Sequence, residues 1–110
     1  MGELENAPNL STAEAKVLAA AGRKDFVGHD LHGKFLEEGT LDGVDQFLYE
    51  QFNKGETAVE IVYGIGEGKM RKFVLDFLMK HPLIEEYNNG EKCIIENPGS
   101  CIVVLTEKNI

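Results

Sequence analysis

The chain has 110 residues, enough for one domain and too few for two of ordinary size. Hydrophobic residues at 43% and charged residues at 27% are globular values, and no apolar run approaches the roughly 20 residues of a membrane span. The net charge of −8 opposes a polyanionic partner at long range. With a Debye length of about 8 Å at physiological salt, however, a compact basic site can still hold a phosphate.

The opening MGELEN lacks the basic and apolar regions of a signal peptide, and Asn6 stands where a myristoylation motif has Ser or Thr. A cytoplasmic protein with no membrane partner is expected. Residues 1–10 are polar and aperiodic, which predicts a disordered lead-in. Ser11 and Glu14 then form a capping box that opens a short helix stopped by Gly22. Residues 1–22 thus precede a domain over 23–110.

DFVGHDL predicts a strand ended by Gly33. Thr40, as an N-cap with Asp42 in the first turn, opens a helix whose apolar positions are Leu41, Val44, Phe47, Leu48 and Phe52, up to Asn53 and Gly55. Gly43 weakens that helix by about 1 kcal/mol relative to Ala. TAVEIVY is a second strand. Met70, Phe73, Val74, Phe77 and Leu78 mark a second helix, ended before Pro82. PLIEEY predicts a third strand, and KCIIE and CIVVLT a hairpin across NPGS. The order β-α-β-α-β-β-β, with the first three strands parallel through right-handed crossovers and an antiparallel ribbon at the end, makes an α/β two-layer sandwich on a small mixed sheet. The hairpin register sets Cys93 opposite Val104 and Cys101 opposite Glu96, which predicts two free buried thiols unless a bulge changes the pairing; C-x7-C is not a zinc spacing either.

Between the second strand and second helix lies YGIGEGKMRK, Tyr63 to Lys72. Gly64, Gly66 and Gly68 form G-x-G-x-G, not the G-x-G-x-x-G of a dinucleotide site, although Glu85 lies about 20 residues on. Met70 stands where a P-loop needs Ser or Thr. A purely structural turn remains open. Against it, Lys69, Arg71 and Lys72 crowd a helix start, where the macrodipole disfavours each cation by roughly 0.3 to 1 kcal/mol. A phosphate held by glycine N–H groups, the dipole and these side chains would remove that conflict.

In HDLHG, strand alternation sends Asp30 and His32 to one face and His29 and Leu31 to the other, near the sheet edge where open α/β sheets bind ligands. A carboxylate two positions from an imidazole can fix its tautomer and raise its basicity. The plain alternative is that His32 ends the strand. His29 reads as a packed core residue, and His81 as a favourable charge at a helix C-terminus.

DLHG (Asp30 to Gly33) followed by GIGEGKMR (Gly64 to Arg71) resembles the Smr, or small MutS-related, domain, over about Asp25 to Leu105. The resemblance implies a sandwich similar to the C-terminal domain of translation initiation factor three, and a nicking or RNA-cleaving endonuclease activity. By it, Asp30 and His32 are the D-x-H catalytic pair, Gly64, Gly66 and Gly68 the loop glycines, and Arg71 the basic residue after the loop. Tyr63 stands where the family usually has His, and His29 where it usually has an aliphatic residue.

The expected function is phosphodiester cleavage of nucleic acid, RNA favoured over DNA because it carries its own nucleophile. His32 would move the proton and Asp30 orient it. Arg71, Lys69, Lys72 and the loop would hold the phosphate, with Tyr63 on the substrate. No cofactor and no metal ion is expected to be required. The alternatives are a binding module, nucleic-acid or protein, in which Tyr63 stacks on a base without cleavage, and a small-molecule phosphate binder.

Overall fold

In the computed structural model the described residues are 26–86 and 91–107; the expected lead-in and the Ser11–Gly22 helix lie outside them. β1 (Val27–Asp30) and β2 (Ala58–Val62) run parallel, Val27 beside Val59 and Asp30 beside Val62, joined by α1 (Glu38–Asn53). α2 (Lys69–Met79) leads to the antiparallel hairpin of β3 (Cys93–Asn97) and β4 (Ser100–Val104). The sheet order is β1-β2-β4-β3, so the last strand among the described residues is a central one.

This α/β fold has one strand fewer than expected. PLIEEY makes a single antiparallel bridge, Ile84 to Leu105, in place of a third parallel strand. The place beside β2 that such a strand would occupy is filled by β4, with Val59 opposite Val103 and Ile61 opposite Cys101.

Alternation puts Val59, Ile61 and Tyr63 on one face of the sheet with Cys101, Val103 and Leu105, and both helices cover that face. Val44, Leu48, Val74 and Leu78 are wholly buried there; each such side chain contributes about 1.5–3 kcal/mol. His29 stacks on Phe47 with ring centroids 5.0 Å apart. Its Nε2 lies 3.7 Å from where a Cβ on Gly43 would stand, an ordinary contact distance that an alanine would also allow. Burial holds the pKa of His29 below its ordinary value.

α1 begins two residues before Thr40, which is therefore not its N-cap; the buried Thr40 hydroxyl instead donates to Phe35 O at 2.8 Å. The helix ends as its sequence implies. Gly55, at φ 83°, donates to Phe52 O and Glu56 to Gln51 O, the paired bonds of a Schellman motif.

Two further expectations are corrected. Cys101 does face Glu96, but an irregularity between Cys93 and Ile95 moves Cys93 opposite Val103. That shift brings Cys93 to the face of Cys101 as a diagonal neighbour, Cα atoms 6.0 Å apart, and the two form a disulfide instead of free thiols. His81, read as a charge at a helix C-terminus, is buried: its Nδ1 accepts from Leu83 N–H at 3.2 Å, which leaves Nε2 to donate to Asp45 at 2.7 Å.

Candidate active site

Because β1 and β2 are parallel and β4 runs against β2, three chain segments meet at one sheet edge: the end of β1, the glycine loop after β2, and the β3–β4 turn. The turn had no part in the sequence-based site, yet it holds the loop. Gly99 O accepts both the Tyr63 and the Gly64 N–H, each at 2.8 Å. A Cβ on Gly99, whose φ is 82°, would stand 3.1 Å from Ile65 Cγ1 and 3.2 Å from Gly64 C. Only glycine suits that position on both counts.

Asp30 and His32 are exposed at the end of β1. Asp30 Oδ1 accepts the His32 backbone N–H at 2.8 Å, so the carboxylate shapes the turn that carries the imidazole, where a contact to the ring had been expected. The His32 ring reaches the loop: its Cδ2 lies 3.8 Å from the site of a Cβ on Gly64, a residue at φ 88°. The two motifs, about 30 residues apart in sequence, are thus adjacent in space.

Beside them is an open cleft of about 280 Å³, lined by Lys34, Leu36 and the stretch from Tyr63 to Arg71. Gly66 and Gly68 have nothing near their Cα hydrogens. Gly68, left-handed at φ 86°, is the N-cap of α2 and offers no side-chain cap. Among the described residues, Lys72 N–H is the first of the helix to find a backbone partner, Gly68 O at 3.0 Å, and the amides of Lys69, Met70 and Arg71 before it face the helix start. Gly64 N–H, by contrast, is committed to Gly99 and is not available to a ligand.

The cations divide. Lys34, Lys69 and Arg71 line the cleft; Lys72 is not among the lining residues and turns along the helix to Asp76, 3.5 Å away. Lys69 is exposed, 3.9 Å from Glu67. Arg71 is engaged by Glu96, through Nε to Oε2 and through Nη2 to Oε1 at 2.9 Å. Glu96 also accepts the Tyr63 hydroxyl at 2.9 Å, with Ser100 O 3.0 Å from the same oxygen. The Arg71 guanidinium, then Tyr63, hold the Glu96 carboxyl below its usual range, and Glu96 in turn raises Arg71. Burial first, and the Glu96 hydrogen bond second, push the Tyr63 phenol up to about 12.

Tyr63 is only 5% exposed, so the expectation that its ring stacks on a substrate base is withdrawn: the side chain belongs to the core and steadies Glu96. The signal was present, since alternation from Val59 through Ile61 points Tyr63 inward. Glu96 was missed altogether. Its cue was the expected register itself, which sets a carboxylate opposite Cys101 on the helix-covered face, where it needs a cation.

A family model described as the Smr domain matches residues 29–106. The chain is 31% identical over 108 residues, 96% of its length, to "Endonuclease MutS2" of Geobacillus sp. (strain WCH70), covering 13% of that protein. Proteins of the same name from Caldicellulosiruptor saccharolyticus and Clostridium botulinum (strain 657 / Type Ba4) are 34% identical over 61 residues and 40% over 62, each match covering 56% of the chain and 8% of the relative. The chain therefore spans about a tenth of the length of these curated relatives. No solved structure gives a significant match. Among the described residues no helix is long and apolar enough to cross a membrane. With its D-x-H turn set against a G-x-G-x-G loop and the family model covering both, the chain belongs to the Smr domain family.

Proposed function

We propose that this domain cleaves phosphodiester bonds in nucleic acid, with RNA the favoured substrate, and that His32 is the proton-transfer group. The observation that carries the reading is the His32 ring lying against Gly64, next to an open cleft with cations and unpaired helix amides. Those amides, the α2 dipole and Lys69 suit the phosphate. In RNA, His32 would take the proton of the 2′-hydroxyl, whose oxygen attacks phosphorus; the P–O5′ bond breaks, and the leaving oxygen takes a proton from the imidazolium or from water. Arg71 supplies charge as the phosphorane forms. Of its five N–H donors Glu96 occupies two, and the remainder can reach a phosphate while Glu96 keeps the guanidinium plane fixed. Asp30 acts by holding the turn that aims His32.

The names of the relatives, "Endonuclease MutS2", support a nuclease, and the intramolecular nucleophile of RNA supports metal independence. The test is cleavage of labelled single-stranded RNA, duplex RNA and supercoiled DNA, each with and without EDTA, by the wild type and by His32→Ala. RNA cleavage insensitive to EDTA and lost in His32→Ala, with binding retained, is expected. Equal activity of the two proteins would remove His32 from the chemistry, and cleavage abolished by EDTA would require a metal-assisted mechanism.

A further inference from the structure

Exposed apolar side chains scattered singly over a surface are ordinary, but those of this domain are not scattered. Of the four large ones among the described residues, Leu36 and Ile65 line the cleft from its two loops and Phe35 stands between the lining residues Lys34 and Leu36, while Tyr49 is on α1. Phe35 is 74% and Ile65 84% exposed. Neither is on slack chain. Phe35 O accepts from Thr40 Oγ1 and from Glu37 N–H, at 2.8 and 2.9 Å, and the neighbouring Lys34 N–H donates to Leu31 O at 2.9 Å. Ile65 follows the Gly64 amide pinned to Gly99, its Cγ1 packed over that glycine. Two fixed backbones therefore hold bare hydrocarbon out into solvent beside a cleft that also carries Lys34 and Lys69.

An occupant of that surface must offer flat apolar faces flanked by negative charge at close spacing, which is the description of a nucleotide strand with its bases free. In a duplex the base faces are covered by stacking and only the edges are open in the grooves. We infer that Phe35, Leu36 and Ile65 form a base-binding subsite beside the phosphate site, so that the domain takes its nucleic acid unpaired at the bound position. A protein partner fits less well, because Lys34 and Lys69 interrupt the apolar surface inside the cleft. The inference rests on the nucleic-acid reading above and adds to it a requirement for single-stranded substrate.

Binding rather than cleavage separates the two. Fluorescence anisotropy at one salt concentration would compare a short labelled single-stranded RNA, the same strand carrying one abasic position, and the blunt duplex. The wild type is expected to bind the intact single strand about 10-fold or more tightly than the duplex. Phe35→Ala should weaken single-strand binding by about 5- to 100-fold, the range that loss of a base–aromatic stack produces, and Ile65→Ala should weaken it by less, with no change in duplex binding or in the salt slope in either. Phe35→Tyr should keep wild-type affinity, and the abasic strand should bind the wild type as the intact strand binds Phe35→Ala. Unchanged affinity in both alanine variants, or a wild-type preference for duplex, would overturn the subsite while leaving the nuclease reading intact. A wild type that binds none of the three ligands would overturn both.

Discussion

The Tyr63 phenol sits inside the core with its proton directed at a carboxylate, and both conditions favour the neutral form. With its pKa pushed from 10.0 to about 12, its stabilising contribution is fully present below pH 10 and is lost as pH rises through 12. Ultraviolet difference titration should therefore find a tyrosine component near 12 in the wild type that is lost in Tyr63→Phe. That variant loses one hydrogen bond, a cost of about 0.5–1.5 kcal/mol by denaturant titration, and should keep cleavage within about 10-fold because no proton transfer runs through the phenol. Glu96 has the opposite sign. Arg71 and then Tyr63 depress its pKa below 4.5, so the hold on Arg71 is present above that value and fades as pH falls through the depressed one. Glu96→Gln should lower kcat more than it raises KM, since the guanidinium remains but is no longer aimed. At this scale the sequence was legible in the short motif that sets Asp30 and His32 at the end of β1, with His32 against the glycine loop. It was not legible at Glu96, whose partners lie 25 and 33 positions away.

Among elements, the β3–β4 turn and the glycine loop are fastened by one carbonyl, that of Gly99. Gly99→Ala meets backbone at 3.2 Å and a left-handed φ together, so it should cost about 1–2 kcal/mol or more in a denaturation experiment and displace the loop with it. Gly66→Ala, with open space around it, should leave stability within about 0.5 kcal/mol and reduce substrate binding, if substrate backbone passes close to the loop. Equal destabilisation by both would show that the loop is not held from the turn. Both helices and the four strands of the sheet were readable from periodicity, down to the Gly55 stop. The PLIEEY strand was not, because a short apolar run does not say whether a neighbour already occupies its place, and β4 does. Nor was the disulfide, because a one-residue bulge leaves no mark on alternation and yet reverses the face of Cys93.

For the molecule as a whole, the net charge of −8 and the few cations of the cleft set how tightly a polyanion can be held. If Lys34, Lys69 and Arg71 each make one phosphate contact, log affinity should fall against log salt with a slope of about 2 to 3. Lys69→Ala should make it shallower by about 0.7–0.9, and Lys72→Ala, pointed away at Asp76, should change it little. A slope of 5 or more would mean that the nucleic acid contacts cations well outside the cleft.

The placement of β4 bears on how such a chain comes to be active at all. Among the described residues the strand that completes the middle of the sheet is the last element, and the Gly99 carbonyl, Glu96 and Ser100 arrive with its hairpin. Their contacts span 25 to 37 residues, the kind of long loop closure that forms late and slowly. During synthesis, Asp30, His32 and the three loop glycines all emerge before the Gly99 carbonyl that holds the loop and the Glu96 carboxylate that holds Arg71. If the domain cleaves as proposed, competence should arise with β4 insertion, so that a nascent or partly unfolded chain carries both motifs without the arrangement that cleavage would need.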